Sequence, residues 1–297
     1  DGINEKNLKI LTALGVTRLS IGIQTFDNKI LKEIKRDRYG SGEEIRARID
    51  LTKGKFKTVN VDMIFNFPEQ TEESLNNDLK ILLEVMPSQI TYYPLMPSSQ
   101  TQEKILENLG KIDYKKEKKF YNIIVNKIKQ KYNFSTVWCF SKKENTYSKE
   151  IDEYIINYDM YAGVGSGAIG YINGITYANT FDIEKYIILT KSSQFPIETY
   201  KYFTIREQIL NDFLMKMFGL KINSREIEQK YKRNKFELYW NAPEIFLFLL
   251  IGAIKKKGDY FYLTDKGRYY WLMMMREFFI GVNNFREYCR KKAKIKI

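Results

Sequence analysis

Two short segments constrain this chain more than any other feature. TRLSIGIQT (17–25) and KTVNVDMIF (57–65) both alternate with the period of a strand. Leu19, Ile21 and Ile23 point one way, and Ser20, Gly22 and Gln24 the other. Val59, Val61, Met63 and Phe65 likewise oppose Asn60, Asp62 and Ile64. Asp62 is the anomaly. A carboxylate inside an apolar strand costs several kcal/mol unless it is wet, paired or holding a ligand.

Helical patterns separate these strands. Ile3–Leu14 places Leu8, Leu11 and Leu14 on one face, and Gly15 stops it. Asp27 caps a second helix with Ile30, Leu31 and Ile34 inward, and another runs over 42–52. Thr71-Glu-Glu-Ser opens a helix whose apolar face is Leu75, Leu79, Leu82 and Leu83, and QITYYPLMP (89–97) reads as a third strand. Helix and strand thus alternate, which predicts βα repeats with parallel strands and right-handed crossovers. An open doubly wound sheet needs both strand faces apolar. Here one face is polar, which suits a (β/α) barrel with helices outside and a polar lumen. Ligands of barrels sit at the C-terminal strand ends, and Gln24 and Asp62 lie toward those ends. The plain alternative is that both are polar residues satisfied within the barrel.

Further along, 104–131 reads as one basic helix with Phe120, Ile123, Ile124 and Ile128 buried. Gly163, Gly165, Gly167 and Gly170 then crowd one segment, which permits close backbone approach to a ligand but matches no phosphate-binding fingerprint. From Thr204 the style changes. Helices over 205–218, 224–231 and 243–255 precede a hairpin about Gly258-Asp259 and a Met- and aromatic-rich helix over 267–279. This predicts two domains: residues 1–190, a partial barrel plus a Gly-rich closing segment, and residues 195–297, small, helical and winged-helix-like.

The chain has no histidine and only two cysteines, Cys139 and Cys289. Its own residues therefore exclude Ser-His-Asp and Cys-His catalysis, His-ligated zinc, a disulfide framework and an all-Cys metal site. The net charge is +13. Lysines spread along the whole chain read as a compositional habit, and runs such as KKEKK (115–119) as solvated surface, so nucleic acid is not an expected partner. The longest apolar stretch, IFLFLLIGAI (245–254), falls short of the ~20 residues of a membrane span. The opening DGINEKNLKIL is not a signal peptide. The expectation is a cytoplasmic protein.

Five blocks in order give a specific resemblance: GVTRLSIGIQTFDNKILKEIKR (15–36), VNVDMIFNFPEQTEESLNNDL (59–79), MPSQITYYPLMP (86–97), AGVGSGAIGYINGITYANT (162–180) and LTDKGR (263–268). Together they resemble the radical S-adenosylmethionine enzymes of the oxygen-independent coproporphyrinogen III oxidase family, including related haem chaperones and haem-modifying enzymes. The resemblance implies an α/β fold, a partial (β/α) barrel, with S-adenosylmethionine and a [4Fe-4S] cluster as cofactors. It implies a tetrapyrrole substrate, coproporphyrinogen III or haem, and an electron donor such as flavodoxin or ferredoxin. The leading expectation is oxidative decarboxylation of propionate side chains. The alternatives are a haem chaperone, or radical methylation in haem degradation. The family's C-x-x-x-C-x-x-C cluster loop is absent, so the expectation is a fragment that is inactive alone, with its metal ligands elsewhere.

Residue by residue, the resemblance suggests a cofactor site. Gln24 matches a Gln that contacts S-adenosylmethionine. Arg36, in the segment after the TFD turn, matches an Arg facing its charged methionine end. Asp62 matches a strand-end Asp on the same cofactor. Met96 stands where the family has a small contacting residue, and Ile169 matches an apolar residue near the adenine. The chain departs from the family's Tyr-Gly-Leu-Pro-Gly-Gln-Thr at Phe65-Asn66-Phe67-Pro68-Glu69-Gln70-Thr71. It also lacks the His-bearing segment that haem chaperones and many oxidases carry before the Gly-rich region.

Overall fold

A computed structural model of the protein describes residues 2–143, 156, 158–232 and 243–292. The chain divides into two compact units, Asp1–Ile151 and Asp152–Ile297.

The first unit opens with helix α1 (Glu5–Ala13), whose Asn4 side chain accepts from the Asn7 amide. Strand β1 (Arg18–Gln24) follows, then α2 (Asn28–Glu33), capped by the Asp27 carboxylate, and α3 (Gly42–Asp50), opened by a Ser41–Glu44 capping box. β2 (Thr58–Phe65), α4 (Glu72–Val85) and β3 (Gln89–Pro94) complete the repeating part. β1, β2 and β3 pair in parallel, as alternation predicted. Val61, Met63 and Phe65 on the apolar face of β2 are fully buried, as are Leu75, Leu79 and Leu82 of α4. This is the apolar layer that drives the βα repeat.

Three elements differ from the sequence reading. The basic stretch after β3 forms two helices, α5 (Ser99–Leu109) and α6 (Tyr114–Ile128), because Gly110 adopts positive φ and Asp113 caps a new start. β4 (Tyr132–Phe134) and β5 (Cys139–Lys142) extend the sheet antiparallel to β3, in the order β1-β2-β3-β5-β4. Both strands are too short for periodicity to show. β3 stops at Pro94 rather than running to residue 97, since two prolines, Pro94 and Pro97, cannot donate to a ladder.

The second unit contains the antiparallel sheet β6 (Ile169–Ile172), β7 (Ile175–Asn179) and β8 (Ile197–Tyr202), with α7 (Ile183–Lys191) between β7 and β8. The Gly-rich segment leads directly into β6. Next come α8 (Ile205–Phe218), β9 (Lys221–Asn223), α9 (Ser224–Tyr231), α10 (Pro243–Leu250), the hairpin β10 (Ile254–Lys257) and β11 (Tyr260–Leu263), and α11 (Asp265–Lys292). β11 pairs with both β10 and β9. α10 ends earlier than expected because Gly252 turns with positive φ into the buried start of β10. α11 is much longer than the 267–279 predicted.

The core of this unit is Trp271, Leu272 and Met275 of α11 with Ile209, Phe213 and Phe218 of α8. Trp271 donates its indole N–H to the Leu214 carbonyl at 3.0 Å and packs edge-on to Phe213. Gly267 lets the start of α11 meet the preceding chain: a Cβ there would lie 1.8 Å from the Ala253 oxygen. Among the described residues, no helix is long and apolar enough to cross a membrane.

Candidate functional site

The polar faces of β1, β2 and β3 fall into register. Ser20, Asn60 and Gln89 form one row, and Gly22, Asp62 and Thr91 the next. The Ser20 hydroxyl donates to one Asp62 oxygen at 2.8 Å. The Asn60 amide donates to the other at 2.8 Å and to the Ser20 oxygen at 2.9 Å. Thr91 donates in turn to the Asn60 carbonyl oxygen at 2.9 Å. Exposure grades across this face. Ser20 and Gly22 on the edge strand are open, Asp62 is half-buried, and Asn60 and Thr91 are buried. Burial pushes the Asp62 carboxyl above its usual range, against the opposing pull of Ser20, Asn60, the Arg18 charge and Thr91. Asp62 is therefore satisfied on one side and reachable on the other.

Gln24 and Arg36 converge on the same row through Gly22. The register slips between Gly22 and Gln24, and Gln24 takes φ 76°, an uncommon conformation for a residue with a Cβ. Its amide folds back so far that a Cβ on Gly22 would lie 2.9 Å from Nε2. Arg36 donates from Nη1 to the Gly22 carbonyl at 2.9 Å. One glycine thus gathers an amide and a guanidinium beside the strand position paired with Asp62. Sites of backbone strain of this kind recur where ligands are held.

The two remaining predicted residues stand on other segments. Met96 is half-buried in the segment leaving β3, where the neighbouring Leu95 amide donates to the Phe65 carbonyl at 3.0 Å. Ile169 opens β6 in the second unit and is half-buried. The Gly163 backbone lies against it, since a Cβ on Gly163 would be 2.7 Å from the Ile169 carbonyl.

Sequence reasoning missed three features nearby. Thr91 carried no signal beyond its place in a strand. Asp78, on α4, is fully buried and accepts from the Thr25 hydroxyl at 2.9 Å and the Phe26 amide at 2.8 Å. Burial raises its carboxyl to about 7. Lys116 of α6 donates to the carbonyls of Phe67, Pro68 and Gln70, at 3.0, 2.7 and 3.1 Å. It thereby pins the loop that leaves the site strand. In sequence, Lys116 is one lysine in a KKEKK run.

The donor set fits one implied cofactor and not the other. An amide, a guanidinium and a carboxylate suit the ammonium and carboxylate of a methionine moiety. A [4Fe-4S] cluster needs a set of thiolates. Both cysteines are buried, one in each unit, and no group of three potential metal ligands occurs among the described residues.

No protein-family profile matches the chain. Among curated proteins it is similar to the heme chaperone HemW of Bacillus subtilis, with 27% identity covering 90% of this chain and 71% of that protein. The HemW of Lactococcus lactis is also 27% identical, covering 89% and 69%. The oxygen-independent coproporphyrinogen III oxidase of Helicobacter pylori is 24% identical, covering 76% and 52%. Among solved structures, the radical SAM enzyme HemN of Escherichia coli superposes with a TM-score of 0.72 at 20% identity, covering 93% of this chain and 68% of that one. The chain is thus similar in sequence to HemW over about nine-tenths of its length, and in fold to HemN. Its α/β architecture is that of HemN, as the five sequence blocks implied. The relatives divide between proteins named as a heme chaperone and proteins named as a coproporphyrinogen III oxidase.

Proposed function

We infer that the chain binds S-adenosylmethionine on the polar face of β1, β2 and β3, and that it handles a haem-type tetrapyrrole as a chaperone. The grouping of Gln24, Arg36 and Asp62 about Gly22 carries the first half. Asp62 offers an acceptor of negative charge, Arg36 retains guanidinium donors beyond the one on Gly22, and Gln24 offers both a donor and an acceptor. Met96, where β3 leaves the sheet, is proposed as an apolar contact. Ile169 belongs to the second unit, and the reading does not rest on it.

Held by Gln24, Arg36 and Asp62, S-adenosylmethionine would supply radical chemistry only with an electron from a cluster, as the resemblance implies. The described residues of this chain provide binding and orientation, and no radical step is assigned to them.

The chaperone half is supported by the relatives named HemW, which align with about nine-tenths of the chain. The oxidase of Helicobacter pylori aligns over a smaller share. Oxidative decarboxylation of coproporphyrinogen III is the second reading, supported by that alignment and by the HemN fold.

Calorimetry of the chain with S-adenosylmethionine, beside Asp62→Asn, tests the first half. Loss of one charge-assisted hydrogen bond predicts roughly ten- to hundredfold weaker binding with an unchanged thermal midpoint. A destabilised variant with unaltered affinity would mean that Asp62 is only a structural carboxylate. Haem titration followed by the Soret band tests the second half, and turnover of coproporphyrinogen III by the protein would favour the oxidase instead.

A further inference from the structure

Past Glu244, α10 is apolar on all sides. Its inner side is accounted for: Ile245 is buried, and the Phe248 ring packs 4.8 Å from that of Trp271. Its outer side is not. Phe246, Leu247 and Leu250 are 53%, 54% and 67% exposed, and Ile251, just past the helix, is 37% exposed. The spacings 246/250, 247/250 and 247/251 place all four on one stripe. Single exposed leucines are unremarkable, but a contiguous stripe marks an interaction surface.

Positive charge follows the stripe closely in sequence, and one lysine touches its end. Four residues past Ile251, the edge strand β10 carries Lys255, Lys256 and Lys257, all exposed. None of the three is ion-paired among the described residues. Lys266 lies against the stripe, donating to the Ile251 carbonyl at 2.9 Å. The neighbouring acids do not balance these lysines, because each already has an arginine partner: Glu244 with Arg206, Asp259 with Arg225, and Asp265 with Arg268.

We propose that α10 and the β10 lysines form a docking surface for an anionic lipid bilayer. Aliphatic and Phe side chains on one face, with lysines at the border, is the pattern of a helix that lies in the plane of a membrane interface. The lysine stems reach along the apolar surface while the ammonium groups meet lipid phosphates. A second copy of the chain is a poor occupant, since a two-fold contact would bring the same lysine clusters together. The mode is peripheral, and the helix is far too short to span.

The test is co-sedimentation of the full chain with phosphatidylcholine vesicles and with vesicles that also contain phosphatidylglycerol. The wild-type chain should partition onto the anionic vesicles and stay in solution with the zwitterionic ones. Lys255→Glu, Lys256→Glu and Lys257→Glu combined should lower partitioning by more than tenfold. Leu247→Ser with Leu250→Ser should lower it similarly, with an unchanged thermal midpoint because both side chains are already exposed. Equal partitioning onto both vesicle types, or no partitioning, overturns the proposal. So does light scattering that shows a wild-type dimer dissociated by the leucine substitutions, which would assign the stripe to self-association.

Discussion

Asn60 and Asp62 lie two residues apart on one face of β2 and share a 2.8 Å hydrogen bond, with Asn60 as donor. The same amide donates to Ser20, and its oxygen accepts from Thr91, so Asn60 links all three parallel strands through side chains. Asn60 is buried, and each of its partners would lose a bond on truncation. Asn60→Ala should therefore destabilise the protein by about 2 kcal/mol, read from urea unfolding. It should also raise the Asp62 carboxyl further, because that hydrogen bond opposes the effect of burial. A carboxylate NMR titration of the variant that matches wild type would show that Asn60 does not hold Asp62.

Asp78 predicts a pH dependence of stability. Its carboxyl sits at about 7 when folded and returns near 3.8 when unfolded. Between those values the folded state binds the proton and the unfolded state does not. Unfolding free energy therefore falls as pH rises through that window. The loss from this group is on the order of 4 kcal/mol for a shift of about three units. Asp78→Asn should flatten the fall in urea midpoint between about pH 4 and pH 7. An identical pH profile for wild type and variant would locate the effect elsewhere.

Asn66 is a second buried polar side chain, but an unsatisfied one. It has φ 71° and no exposed surface, and neither its Nδ2 nor its Oδ1 has a partner among the described residues. The resembling family places Gly here. Asn66→Gly removes the orphaned amide and suits the left-handed backbone. We expect about 1 kcal/mol of stabilisation in chemical unfolding. Destabilisation would indicate that the amide is satisfied in solution, for instance by a buried water.

These residues differ in how legible they were. Asp62 showed in the sequence because period-two alternation isolates a carboxylate among Val61, Met63 and Phe65. Its placement opposite Gly22 and Thr91 depends on strand register, which no local pattern carries. Asp78 was hidden because, within a helix, a buried aspartate looks like a solvated one. Its partners Thr25 and Phe26 are more than 50 residues away in sequence. Lys116 was hidden for the same reason, since three loop carbonyls from another element decide its role. The helices with caps at Asp27 and Thr71 were readable because capping is local chemistry. β4 and β5 were not, because strands of three and four residues are fixed by pairing alone, β5 with β3 and β4 with β5.

Gly22 separates folding from binding. A methyl group there would meet only the Gln24 Nε2 at 2.9 Å and the Arg36 Nη1 at 3.9 Å, both far ends of flexible side chains. Gly22 itself is exposed, and its φ is not in the left-handed region. Gly22→Ala should thus fold with a thermal midpoint close to wild type, since both neighbours can swing away. What it disturbs is the convergence of Gln24 and Arg36 beside Asp62. If that convergence binds the methionine end of S-adenosylmethionine, affinity should fall by roughly tenfold, equivalent to about 1.4 kcal/mol. Calorimetry and thermal melting on one sample read both quantities. Unchanged affinity in the alanine variant would detach Gln24 from the binding site, while leaving Asp62 to be judged by its own substitution.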